Sequence, residues 1–279
     1  MNTRLSIIIV NYNVTQLLRN CLLSIKKYVK EVPYEVIIID NASTDTSWRN
    51  LIEEFPDFHF IASESNDGFS KANNTAIKRA VGDYVLILNP DTELEGCYMD
   101  EILDFADTQP DFGCLGVRMH DAKGTFLPES KRSVPDMFNS FEKLFVNFKN
   151  NNSKSYYRND IDENAIDKVE VITGAFFLVK REVYERVGGL DEAYFMYGED
   201  IDLCYTLLRN GFTNYYYGKA SILHYKGEST VKDELYLERF YGAMQIFISK
   251  YYKESKPLQY SFLKAGLRLR HKIEKIKLK

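Results

Sequence analysis

From residue 5 to residue 118, short runs of apolar, largely β-branched residues alternate with longer stretches whose apolar positions recur every three or four residues. The runs at 5–10, 35–39, 58–62, 84–88 and 114–119 are apolar almost throughout, the pattern of strands covered on both faces. Between them, 15–28 places Leu18, Cys21, Leu22 and Ile25 on one helical stripe, and 70–80 opens on Ser70 as a candidate N-cap and stops before Gly82. This alternation predicts βαβ units on a mostly parallel sheet with helices on both faces, a Rossmann-like α/β fold.

Beyond residue 120 the alternation breaks down. A hairpin-like segment at 119–126 leads into a stretch bearing Pro, Asn and Ser that runs to about residue 165. Within it Phe138, Phe141, Leu144, Phe145 and Phe148 predict a short amphipathic helix, and 150–153 reads as a linker. Regular patterning returns with strands expected at 169–172 and 175–179, a helix at 181–187, a turn at Gly188 and Gly189, a helix at 202–209 and a strand at 214–223. Two helices, 232–252 and 258–277, follow on either side of Pro257. The expected organisation is one domain over 1–230, divided into halves at 118/119, and a C-terminal helical extension over 231–279.

The net charge of -4 conceals a +8 tail over residues 250–279, set against an acidic body. In 258–279 the apolar positions Phe262, Leu263, Leu267, Leu269, Ile273 and Ile276 are interleaved with seven Lys and Arg, the composition of a basic amphipathic helix. Contact with an anionic membrane surface is one expectation, and a solvated helix packed on the domain is the other. Basic residues confined to the end of an acidic body argue against a nucleic-acid partner. No stretch approaches the roughly 18 consecutive apolar residues that span a bilayer, and the run at 5–10 is too short for a signal segment. A cytoplasmic protein is expected, peripheral on the inner face of the cell membrane if the tail takes the first of those two courses. Cys21, Cys97, Cys114 and Cys204 form no C-x-x-C pair and read as buried free thiols in helices or strands.

The chemistry sits at strand ends. Asn11-Tyr12-Asn13 follows the first strand, Asp40-Asn41-Ala42-Ser43-Thr44-Asp45 the second, and Asn89-Pro90-Asp91 the fourth. Ligands of open α/β sheets bind where such loops converge, although Asp45 or Asp91 alone could be a helix N-cap. Neither a G-x-G-x-x-G turn nor a P-loop is present, so no glycine cradle awaits a phosphate. A divalent cation on carboxylate oxygen, Mg²⁺ or Mn²⁺, would meet the phosphate charge, with Asp91 the first candidate ligand.

These runs, with Asn66-Asp67-Gly68-Phe69 and Gly198-Glu199-Asp200, resemble the serial motifs of family 2 glycosyltransferases in their family order over roughly residues 5–229. The resemblance implies a GT-A fold and an inverting transferase using a nucleotide-diphosphate sugar, and it leans toward the rhamnosyltransferases of bacterial surface polysaccharide. The implied donor is of the dTDP-rhamnose or UDP-hexose type and the acceptor a saccharide or lipid-linked saccharide. Nucleotide-sugar contacts are implied for Asn11, Asn13, Asp40, Asp45, Asn66, Gly68, Phe69, Asn73, Asn89 and Asp91. Asp91 matches the last acid of the family's D-x-D metal motif, but Asn89 stands where the first acid would be. His224 matches a position that can complete the metal site and reads equally well as structural. Thr173, Gly174 and Ala175 resemble the acceptor-side turn, and a glycine bulge in a strand fits the same residues. Asp200, with Glu199, matches the carboxylate that takes the acceptor proton.

Two other readings remain. A catalytically silent carbohydrate-binding or scaffold protein would keep the fold and lose Asp200 or Asp91, and both are present. A sugar nucleotidyltransferase would carry a Gly-rich basic loop after the first strand, where Asn11–Thr15 has neither Gly nor Lys/Arg.

Overall fold

A computed structural model describes residues 3–135, 156–225, 227 and 233–278. The expected helix around Phe138–Phe148, the linker at 150–153 and most of the segment after Tyr225 lie outside the described residues.

Strands β1 (Leu5–Asn11), β2 (Tyr34–Asp40), β3 (His59–Ala62) and β4 (Tyr84–Leu88) pair in parallel in the order β3-β2-β1-β4. The crossovers are α1 (Thr15–Tyr28), α2 (Asn50–Glu54) and α3 (Phe69–Ile77). Because side chains alternate along a strand, Leu5, Ile7 and Ile9 enter one core with Leu18, Cys21, Leu22 and Ile25 of α1. Ile8 and Val10 enter the opposite core with Ala72, Ala76 and Ile77 of α3. Continuous apolar runs are thus consumed by two layers of helix.

The expected parallel continuation from 84–88 to 114–119 is not what forms. β6 (Phe112–His120) does not lie beside β4; β8 (Phe176–Lys180) intervenes, antiparallel to both. Short β5 (Thr92–Leu94) and β7 (Ile166–Val169) both pair antiparallel with β9 (Thr213–His224), which runs parallel to β6. The strand expected at 169–172 therefore sits three residues earlier, and Val171 instead bridges Arg132. Met119–Phe126 closes as the expected hairpin, with His120 bridged to Phe126. α4 (Met99–Thr108) packs in the first core, whereas α5 (Arg181–Arg186) and α6 (Glu199–Arg209) pack in the second.

Two helix starts differ from expectation. α3 is capped by Gly68, not Ser70, because the Phe69 amide is taken by the Phe195 carbonyl at 2.6 Å; Ser70 is buried in the first turn. α6 begins at Glu199, before its apolar periodicity does, on a left-handed Gly198 with three acids in the first turn, favourable to the helix dipole. Three cysteines are buried as expected, but Cys97 is exposed in the turn before α4.

At the C-terminus α7 (Glu234–Tyr252) and α8 (Pro257–Lys277) pair around their own small cluster of Tyr241, Ile248, Leu263 and Leu267. Pro257 occupies the first turn of α8, where its missing N–H costs no helical bond. Among the described residues no helix is long and apolar enough to cross a membrane.

Candidate active site

Parallel pairing brings the ends of β1 and β2 level, with Asn11 opposite Asp40. The buried Asp40 carboxylate accepts the Asn11 amide at 2.7 Å, the Ser43 hydroxyl at 2.6 Å and the Ser43 amide at 3.0 Å. A carboxylate has about four acceptor positions, so one remains for a ligand donor. Asn13, at φ 58°, accepts the Thr44 hydroxyl and the Asp45 amide, both at 3.0 Å. Asp45 caps the turn that follows: it accepts the Ser47 amide and hydroxyl and the Thr15 hydroxyl, and these bonds, Ser47 first, hold its pKa below the ordinary value. Asp45 thus does act as a cap, and in doing so ties the β2 loop to α1.

The next segment is laced to the same loop. Asn41 donates to Asn66 at 2.9 Å, and Asn66 accepts the Gly68 amide at 3.1 Å. Gly68 lies at φ 86°, and a β-carbon there would collide with the Phe195 carbonyl and ring. Only glycine lets this segment lie against the loop at 190–198. Asn73 donates to the Phe69 carbonyl at 2.9 Å, while its buried Oδ1 has no partner among the described residues.

Antiparallel pairing of Thr92 with His224 places Asp91 beside the end of β9, with His224 Nε2 3.5 Å from Asp91 Oδ1. Asn89 Oδ1 is buried without a partner among the described residues, as is His224 Nδ1. Among the described residues no three His, Cys, Asp or Glu converge. The local donor set is one carboxylate, one imidazole and one amide oxygen, which suits a hard or borderline cation such as Mn²⁺.

The acceptor-side candidates join these two clusters. The Asn89 amide donates to the Ala175 carbonyl at 3.1 Å, and the Gly174 amide donates to Asp200 Oδ2 at 3.3 Å. Thr173–Ala175 is a turn leading into β8, not a bulge within it. Asp200 also receives the Arg132 guanidinium at 2.6 Å on Oδ2 and the Ile201 amide at 2.8 Å on Oδ1. An acceptor position of Oδ1 remains open.

Arg132 escaped the sequence reading. It comes from the irregular stretch at 127–135 and is 8% exposed; Nη2 also donates to the Ile172 carbonyl at 2.6 Å. Burial opposes its charge, but Asp200 and then Tyr156 outweigh that and raise its pKa. A lone Arg in an aperiodic segment, 68 positions from its partner, carries no sequence signal. Glu199, buried beside Asp200, is pushed up to about 8, first by burial and then by the Asp200 charge. Burial thus favours the neutral form of Glu199, beside the Asp200 carboxyl that receives Arg132. The loop delivering both acids is strained at Tyr197, φ 70°, a backbone setting costly for a bulky side chain.

A buried network behind this loop was also missed. Asp202, 2% exposed, receives Lys250 at 2.8 Å, Tyr251 at 2.8 Å and Tyr194 at 3.2 Å. Lys250 bonds Asp191 as well, at 2.7 Å, so α7 is fastened to both ends of the loop.

Among solved structures the fold is similar to GalNAc-T7, determined with UDP, GalNAc and Mn²⁺: TM-score 0.68 at 14% identity over 93% of this chain and 50% of that longer one. A mannosyltransferase of Pyrobaculum calidifontis, solved with GDP-Man and Mn²⁺, superposes with TM-score 0.61 at 18% identity, covering 97% of this chain and 71% of that one. These are GT-A folds, as expected. In sequence the chain is 31% identical, over 73% of its length and 70% of the relative's, to the N-acetylglucosaminyl-diphospho-decaprenol L-rhamnosyltransferase of Mycobacterium tuberculosis. It is 28% identical, over 69% and 73%, to the rhamnosyltransferase WbbL of Escherichia coli K12. Residues 6–188 match Glycosyl transferase family 2, and with the strand-end loops laced together by hydrogen bonds the chain is a glycosyltransferase belonging to that family.

Proposed function

We propose that the chain performs an inverting transfer from a nucleotide-diphosphate sugar, of the dTDP-rhamnose or UDP-hexose type, to a saccharide or lipid-linked saccharide during cell-surface polysaccharide assembly. The observation that carries this reading is the turn Thr173–Ala175, bonded at one end to Asn89 and at the other to Asp200. A sugar lying over that turn would have diphosphate ligands on one side and a carboxylate on the other, the arrangement a single displacement requires.

In this reading 1–118 takes the nucleotide-sugar and 119–230 the acceptor. Asp40 offers its remaining acceptor position to the nucleobase, with Asn11, Asn13 and Asp45 holding the loop. Asn66, Gly68, Phe69 and Asn73 line the donor pocket, where the spare Asn73 oxygen faces ligand. Asp91 and His224, with the Asn89 oxygen, would hold Mn²⁺ or Mg²⁺, which when bound neutralises charge on the departing diphosphate. Asn89 supplies no charge, so the site binds cation weakly until a diphosphate adds its own oxygens.

Asp200 Oδ1 takes the proton of the acceptor hydroxyl as that oxygen attacks the anomeric carbon. Arg132 and the Gly174 amide fix the carboxylate. The enzyme works at the inner face of the cell membrane. A panel of dTDP-, UDP- and GDP-sugars with Mn²⁺ tests the proposal, with the product's anomeric configuration read by NMR. Transfer with inversion is expected; retention of configuration, or donor hydrolysis alone, would overturn it.

A further inference from the structure

We infer that the outer face of α8 is a membrane-docking surface for anionic lipid, and that it brings the acceptor-side loop to the bilayer. Pairing with α7 consumes only one side of α8, where Leu263 and Leu267 are each 3% exposed. On another side Leu258, Leu269, Ile273 and Ile276 are 87%, 53%, 37% and 65% exposed. At 3.6 residues per turn these four fall within an arc of about 60°. Such a continuous apolar stripe on the surface of a helix marks an interaction site.

Charge identifies the occupant. Lys272 borders the stripe and Arg268 lies one step further round; both are exposed, and neither has an acidic partner among the described residues. Several other cations are already committed: Lys275 to Glu234 and Glu238, Arg270 and Lys277 to Glu274, and Lys250 to Asp191 and Asp202. A stripe of aliphatic side chains edged by uncommitted cations matches an anionic lipid surface, with acyl chains below and phosphates at the rim.

The hairpin is also joined to the site. Besides the Lys250 and Tyr251 bonds, Arg239 lies over the Phe195 ring at 4.1 Å and Tyr197 packs edge-on against Tyr236 at 5.4 Å. Phe195 in turn accepts the Phe69 amide. Docking of α8 therefore carries the loop that ends in Glu199 and Asp200 to the lipid surface. This last link rests on the acceptor reading above, whereas lipid binding itself does not.

The test is flotation of the full chain with phosphatidylcholine vesicles, with and without phosphatidylglycerol. Recovery with the anionic vesicles alone, weakened by salt, is expected. The triple substitution Leu258→Ser, Leu269→Ser and Ile276→Ser should reduce binding at least about tenfold. Arg268→Gln and Lys272→Gln should each reduce it about fivefold. All five positions are exposed, so unfolding midpoint and donor affinity should stay at wild-type values. Equal recovery of wild type and triple variant would overturn the proposal. So would a wild-type dimer that the triple variant dissociates without any vesicle binding, since the face would then belong to a second copy. Loss of flotation with donor affinity and transfer to a water-soluble acceptor retained separates this surface from the catalytic reading.

Discussion

Replacing Arg132 by methionine removes a buried cation that bonds both Asp200 and the Ile172 carbonyl at 2.6 Å. Breaking one side of a buried ion pair costs about 3–5 kcal/mol. Asp200 keeps the amides of Gly174 and Ile201 and is 14% exposed, and methionine refills the space of the aliphatic stem. The loss should therefore fall at the lower end, about 3 kcal/mol, read as a lower urea midpoint. Without the guanidinium the carboxylate turns toward solvent, and a misplacement on the order of 1 Å costs about 100-fold in kcat. Donor affinity, measured by calorimetry, should be unchanged, because the guanidinium bonds Tyr156, Ile172 and Asp200, all in the acceptor half. Arg132→Lys, which keeps charge but loses the planar fork, should fall between the two. A folded Arg132→Met enzyme with wild-type kcat would refute the positioning of Asp200 by Arg132.

Glu199→Gln should flatten the pH dependence of stability. The folded carboxyl, pushed up to about 8, binds a proton that the unfolded chain releases near its ordinary 4.5, so wild-type stability falls as pH rises across that window and the variant's should not. Gly68→Ala forces a β-carbon onto the Phe195 carbonyl at a positive φ; it should cost about 2 kcal/mol and weaken donor binding, checked by thermal unfolding and titration with nucleotide. Asn89→Asp restores an acid beside Asp91 and should lower the Mn²⁺ concentration for half-maximal activity by about tenfold, whereas Asp91→Asn should raise it.

Strands β1, β2 and β4 were legible because burial on both faces leaves their apolar runs unbroken and collects their polar residues at one end, while β3, a half-exposed edge strand, shows only Phe60 and Ile61. Asn11, Asp40 and Asn89 could be read as strand-end residues for that reason alone. What lay beyond reach is what depends on pairing between distant segments. Nothing local tells β6 to leave a gap that β8 fills in the opposite direction, or sets Thr92 against His224. The start of α3 is fixed by a bond from Phe69 to Phe195 rather than by a capping side chain, which is why Ser70 misled. Nothing in the local sequence sets Arg132 or Lys250 apart from a surface cation. Their meaning comes from Asp200 and Asp202, brought to them by a helix that begins three residues before its apolar pattern.

The claim that Asp200 is the base of an inverting transfer is tested most directly by the turnover of Asp200→Asn with saturating donor and acceptor, alongside its donor dissociation constant. The amide keeps the shape and can still accept from Gly174, but it cannot take a proton. A fall in kcat of about 10²–10⁴-fold with donor binding unchanged is the predicted result. Undiminished transfer by the variant would contradict it.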